Sequence, residues 1–203
     1  MSPQELAARC LLRVEMRTLP VDVRLMVALT RGTYLYTVDQ ALFAGAKPED
    51  LAVITPSVPA ATCEWQADSP MDRRTVVYLP EADPVRLRFT LAHELGHIAL
   101  KHGRGPTPRM ERDADAFARA LLMPPPLVRA LLRERGALYA EQLAFVFGVS
   151  TGLAMNALPA PALPPDRETA MCDLLLSAAL ARIPPRVSPR WHRLIPPAPD
   201  GTP

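Results

Sequence analysis

Cysteine is scarce in this chain and badly spaced for chemistry. Cys10, Cys63 and Cys172 lie far apart, form no C-x-x-C pair and are odd in number. They exclude a disulfide framework and a thiolate metal site, and free thiols in a reducing cytosol are the expected state. Lysine is scarcer still, found only at Lys47 and Lys101, so arginine carries almost all the positive charge. Net charge is nearly absent as well. The 23 Lys and Arg against 21 Asp and Glu leave a formal +2, too even a balance to mark a nucleic-acid binder. No apolar run approaches the roughly 20 residues that a membrane span requires. Glu5 and Arg9 interrupt the first apolar turns, so no signal-peptide core is read there and a cytoplasmic location is expected.

What the chain does have is apolar material, at 49% of 203 residues, enough for one compact domain with a small helical appendage. It also has His93-Glu94-Leu95-Gly96-His97. On a helix, side chains at i and i+4 share a face, so both imidazoles can reach one metal ion. Glu94 is set round the helix by about 100°, from where it can reach water without binding the metal. This is the H-E-x-x-H arrangement of zinc hydrolases, in which the glutamate takes the proton as water attacks a carbonyl. A chance match is weighed against the surroundings. Asp83-Pro84 is a helix start, and Leu87, Leu91, Leu95 and Ile98 recur at helical spacing. The histidines therefore fall inside a well-formed helix, beside its apolar stripe.

Catalytic zinc usually takes three protein ligands. Downstream, Glu111 and Asp115 are four apart on a second helical segment that the prolines from Pro124 close. Glu111 is the natural third ligand and Asp113 a weaker choice. Asp115 could accept a hydrogen bond from a ligand histidine and fix its tautomer. Taken alone, the same acidic turn reads as a complement to the helix dipole.

These residues carry a family resemblance. Arg88-Phe89-Thr90-Leu91-Ala92-His93-Glu94-Leu95-Gly96-His97, with Leu100 and His102 after it, resembles the signature of the ImmA/IrrE metallopeptidases. So does Glu111-x-Asp113-Ala114-Asp115-x-Phe117-Ala118 running into Leu121-Leu122-Met123-Pro124. The likeness is strongest from Val76 to Pro124. Two departures are visible: the connection from His97 to Glu111 is short, and Asp113 and Asp115 stand where glutamate and asparagine are common. The resemblance implies that His93, His97 and Glu111 bind Zn2+ and that Glu94 is the general base. It also implies an intracellular, prokaryotic protein acting on helix-turn-helix repressors to release mobile-element or stress-response genes.

Along the chain, helices are expected over Pro3–Arg17 and from Asp22 through Val23, Met26, Val27 and Thr30, then a strand at Tyr34–Val38 and a short helix at Asp39–Ala44. Val53–Thr55, Thr62–Gln66 and Thr75–Leu79 read as three short strands forming an antiparallel sheet in front of the metal helix. Trp65 and Tyr78 are expected to pack on it. Beyond the three prolines, Leu127, Leu131 and Leu132 predict a helix ending at Gly136, and Glu141–Phe147, Gly148 and Thr151–Leu158 read helix, turn, helix. A stiff linker over Pro159–Pro165, an amphipathic helix over Glu168–Ile183 and a Pro-rich tail follow. The expected class is α+β: a zincin-like metallopeptidase core over 1–124 with paired active-site helices, a helical subdomain over 125–183 and a tail over 184–203.

The expected activity is that of a zinc endopeptidase cutting a protein substrate, and two other classes compete with it. One is a catalytically silent, zinc-containing adaptor that binds a regulator; an intact Glu94 speaks against it. The other is a helix-turn-helix DNA-binding regulator. A recognition helix needs Arg, Lys, Asn or Gln, and Thr151–Leu158 offers only Asn156. Direct nucleic-acid binding is therefore not expected, and Leu153, Met155 and Leu158 are read as packing against the catalytic helices or receiving the repressor. His102 and His192 lie outside the ligand spacing and are read as non-ligands. The tail residues Arg186, Arg190, Trp191 and Arg193 are read as a solvated terminus.

Overall fold

Local signals in the sequence reappear as helix starts and stops in the computed structural model, which describes residues 1–63, 74–103, 105–135, 138–156 and 165–183. The elements run α1 (Pro3–Arg13), α2 (Val23–Ala28), β1 (Thr33–Thr37), α3 (Val38–Phe43), β2 (Ala60–Cys63), β3 (Arg74–Tyr78), α4 (Pro84–Ala99) and α5 (Pro108–Leu122). Then follow α6 (Pro125–Arg135), α7 (Ala140–Phe147), α8 (Thr151–Met155) and α9 (Pro165–Arg182). Caps explain several starts. Ser2 accepts from the Glu5 amide, Asp22 from that of Leu25, and Thr37 and Gln40 form a reciprocal capping box. α1 stops earlier than its apolar spacing predicts, because Glu15 turns into the left-handed region at φ 50.

The chain divides into two compact units, 22–118 and 1–21 with 119–203. In the first, a three-stranded sheet has the order β1-β3-β2. Val76 and Val77 on β3 point to opposite faces by strand alternation, and both are fully buried, so the sheet is covered on both sides. Ala41, Ala46, Leu51, Ala61, Cys63 and Val77 form one cluster, and α4 packs on β2 and β3. The Arg24 guanidinium lies 5.0 Å from the Tyr78 ring centre. In the second unit, α9 packs on α6, α1 and α7 through Met171, Leu175 and Ala179, and ion pairs join Arg129 to Glu168 and Arg167 to Glu5.

The α+β class and the small sheet agree with expectation; the sheet's make-up does not. It is mixed, with β2 antiparallel to β3 and β1 parallel to it. The third strand is β1, and Val53–Thr55 is not in the sheet. Ile54 donates its amide to Leu51, while Thr55 and Val58 exchange amide bonds across Pro56-Ser57, so local turns use the groups that a ladder would need. Of Thr62–Gln66, Thr62 and Cys63 are strand; 64–66, with Trp65, lie outside the described residues, as do Gly136, Leu158, residues 159–164 of the expected Pro159–Pro165 linker and the tail from Pro184, while Pro165 begins α9. Among the described residues no helix is long and apolar enough to cross a membrane.

Candidate metal centre

α4 begins where the sequence places it. Asp83 accepts from the Arg86 amide at 2.8 Å, and Pro84 occupies the first helical position. Leu87, Leu91, Ala92 and Leu95 are buried against the core, each such leucine contributing about 1.5–3 kcal/mol by leaving water. That stripe fixes the roll of the helix, and His93 and His97 stand together on the stripe beside it.

The second helix approaches because of Gly96. A Cβ added there would meet the Ala114 carbonyl oxygen at 3.0 Å and its Cα at 3.1 Å. Both are backbone atoms, so even a methyl group there would need α5 to give by a few tenths of an ångström. α5 itself starts at Thr107, whose hydroxyl accepts from the Met110 amide, followed by Pro108. Glu111 lies in its first turn and Asp115 one turn further, on the face turned to His93.

The side chains converge closely. His93 Nε2 lies 2.9 Å from His97 Nε2 and 3.1 Å from Glu111 Oε2, and His97 Nε2 lies 3.6 Å from Glu111 Oε1. Donors held 2.0–2.1 Å from a tetrahedral ion stand roughly 3.3 Å apart, and the observed separations bracket that spacing. Two imidazole nitrogens and a carboxylate oxygen are a donor set suited to zinc, and these three residues form a group able to hold a metal ion. His93 Nδ1 is 2.9 Å from Asp115 Oδ1. An ionised carboxylate only accepts, so the His93 proton sits at Nδ1 and the Nε2 lone pair is left facing inward. Burial lowers the pKa of His97, with His93 beside it acting in the same direction, which favours the neutral imidazole a metal needs.

Glu94 turns to the sheet instead. Its Oε2 accepts from both the amide and the hydroxyl of Thr62 on β2, at 2.9 and 2.6 Å. Burial raises the Glu94 pKa, and the Thr62 hydroxyl bond is the largest of the effects opposing that rise. The glutamate is thus held beside the triad with its other oxygen uncommitted to Thr62. The triad, Glu94 and Asp115 line a cleft of about 700 Å³ whose apolar wall includes Val58, Ala61 and Phe89.

The structure therefore brings together His93, His97, Glu111, Glu94 and Asp115. Asp113, the weaker choice of third ligand, is turned to Arg109, 3.9 Å away, and is not part of the triad. Two residues of the site, Thr62 and Arg74, carry no signal in the sequence, and a third, His102, is read there only as a non-ligand. Thr62 holds Glu94; His102 lies with its Nδ1 3.0 Å from His97 Nδ1; and Arg74 donates to the His102 carbonyl at 3.0 Å. No motif links Thr62 or Arg74 to the helix. His102 was visible but stands one position beyond the i+4 stripe.

The model of a metallopeptidase family, described as the IrrE N-terminal-like domain, matches residues 53–158 of this chain. The matched stretch holds the whole triad, Glu94, Asp115 and Thr62. A search of curated proteins finds no match.

Proposed function

The chain belongs to the ImmA/IrrE family of metallopeptidases, and from that premise we propose that it is a zinc-dependent endopeptidase whose substrate is a helix-turn-helix repressor. The observation that carries the reading is the convergence of His93, His97 and Glu111 at mutual distances of 2.9–3.6 Å, with a half-buried glutamate tethered beside them. In this proposal His93, His97 and Glu111 hold zinc and Glu94 is the catalytic base. A zinc ion held there supplies Lewis acidity, which acidifies water and polarises a carbonyl. Glu94 takes a proton from water and returns it to the leaving amine. Thr62 keeps one carboxylate oxygen occupied, so the other performs the transfer. Asp115 keeps the His93 proton on the outer nitrogen.

An extended segment of the substrate would lie along β2, the sheet edge nearest the base, as an added strand. The repressor as target, the release of mobile-element or stress-response genes and a cytoplasmic location rest on the family resemblance. The division into a catalytic domain to residue 124, a helical subdomain to 183 and a tail remains our proposal for the chain's organisation.

The test is cleavage of candidate helix-turn-helix repressors by zinc-loaded wild type and by Glu94→Gln. Wild type is expected to cut at a defined bond. Glu94→Gln should keep its zinc and lose about 10²–10⁴ in rate. Equal rates would remove Glu94 as the base. Tight binding without cutting by either protein would make the chain an adaptor.

A further inference from the structure

We propose that His102 is a positioning residue for the metal centre, holding His97 in the tautomer that presents Nε2 to the ion. The inference rests on the metal-site reading above and goes beyond it, because family membership and ligand spacing assign His102 no role.

The two rings are in direct contact. His102 Nδ1 is 3.0 Å from His97 Nδ1, and the rings meet edge to face with centroids 4.9 Å apart. His102 is buried, which limits the access of water to that contact. Two ring nitrogens at this distance have one proton between them, and which ring donates it decides the chemistry. With the proton on His97 Nδ1, its Nε2 lone pair faces His93 Nε2 and Glu111. With the proton on His102 Nδ1, His97 carries its own proton at Nε2 and cannot ligate. A competent site therefore needs His102 as acceptor, with its own proton at Nε2. Asp115 does the same for His93, so each ligand histidine has its outer nitrogen held.

The backbone delivers the ring to that place. α4 ends with Leu100 as C-cap, and Lys101 turns into the left-handed region at φ 58. The Lys101 amide donates to Ile98 at 3.1 Å and the His102 amide to His97 at 2.9 Å. This is the paired closure of a Schellman turn, in which the residue two past the cap lies against the residue three before it. That contact is ordinarily apolar; here it joins two imidazoles. Arg74 on β3 fixes the other side by donating to the His102 carbonyl at 3.0 Å.

The experiment is zinc titration of metal-stripped protein against a chromophoric chelator, for wild type, His97→Ala, His102→Leu and His102→Asn. His102→Leu fills the space without an acceptor. In His102→Asn the amide oxygen stands near the position of Nδ1. Zinc affinity is expected to fall roughly 10- to 100-fold in His102→Leu and to recover most of that loss in His102→Asn. A role in packing alone would weaken both variants alike or neither, and either result overturns the proposal. A second measurement needs no variant: ¹⁵N imidazole spectra of zinc-loaded wild type should place protons on His97 Nδ1 and His102 Nε2. A proton on His102 Nδ1 overturns it. Failure of wild type to bind zinc, or full affinity in His97→Ala, would overturn the metal-site reading and this inference with it. Unchanged affinity in His102→Leu alone leaves that reading standing and removes only the inference.

Discussion

The α4–α5 pair and the α7–α8 pair are built by similar means. Each is two helices joined through a short connection, each second helix starts on a capping hydroxyl, and each pair depends on one glycine. Thr107 caps α5 and Ser150 caps α8. Gly96 admits the backbone of α5, while Gly148 ends α7 in the left-handed region at φ 63. What they present differs. The first pair aims two imidazoles and a carboxylate at one point in a cleft. In the second, Asn156, the one Arg, Lys, Asn or Gln in Thr151–Leu158, donates its amide back to the Gly152 carbonyl at 2.9 Å. The carbonyls at the end of α7 are taken by Arg182, which donates to Phe145 and Val146. A shared supersecondary plan thus says little about function; the chemistry of the side chains on the open face decides it.

The comparison predicts effects of graded size. The largest is expected on replacing both histidines. His93→Ala with His97→Ala should take zinc from about one ion per chain to near none, since only one ligand remains. Metal analysis that finds equal zinc in wild type and the double variant would erase the difference between the two helix pairs. Next comes Gly96→Val, which forces a side chain against the Ala114 backbone. It should cost about 1–3 kcal/mol by overpacking and weaken zinc binding as well, because α5 carries Glu111. Chemical denaturation combined with zinc titration checks both; a stable variant with full affinity would show that the close approach is not needed. Gly148→Ala should cost about 1 kcal/mol through its left-handed backbone, with zinc affinity unchanged. Loss of zinc in that variant would mean that the α7–α8 pair serves the metal site. The smallest effect is a null one. Asn156→Ala should leave DNA affinity at moderate salt as weak and unselective as in wild type. A gel shift showing tight, selective binding by wild type that disappears in Asn156→Ala would restore the DNA-binding reading.

Much of this was legible from local chemistry. Asp83-Pro84 and the leucine spacing placed α4, and the i, i+4 pair placed the histidines. Asp115 was foreseen as the partner of a ligand histidine. The sheet was harder. Nothing local tells that β1 pairs in parallel with β3, because a parallel pair depends on a long crossover rather than on a turn. Val53–Thr55 is as β-branched as a strand, yet Pro56-Ser57 curls it into turns. Met155 is 61% exposed, so of its two readings, packing or contact with a substrate, the structure removes packing, because α8 is too short to bury more than Ala154 fully. His102 reads in the sequence only as a non-ligand, for a physical reason. Its contact with His97 depends on Lys101 adopting a left-handed turn, and lysine, unlike glycine, does not announce one.

One consequence concerns Thr62. The Pro59 carbonyl accepts from Leu79, and by alternation the amides of Ala61 and Cys63 face β3, so that of Thr62 faces the open side of β2, where Glu94 takes it. Any chain laid along that edge finds a rung missing there. Its ladder can close only on the neighbouring residues, and the gap falls beside Glu94. The missing rung marks a fixed place on the edge, so a bound peptide would be measured off by its backbone before any side chain is read. One peptide unit is left unpinned, free to tilt its carbonyl out of the sheet plane.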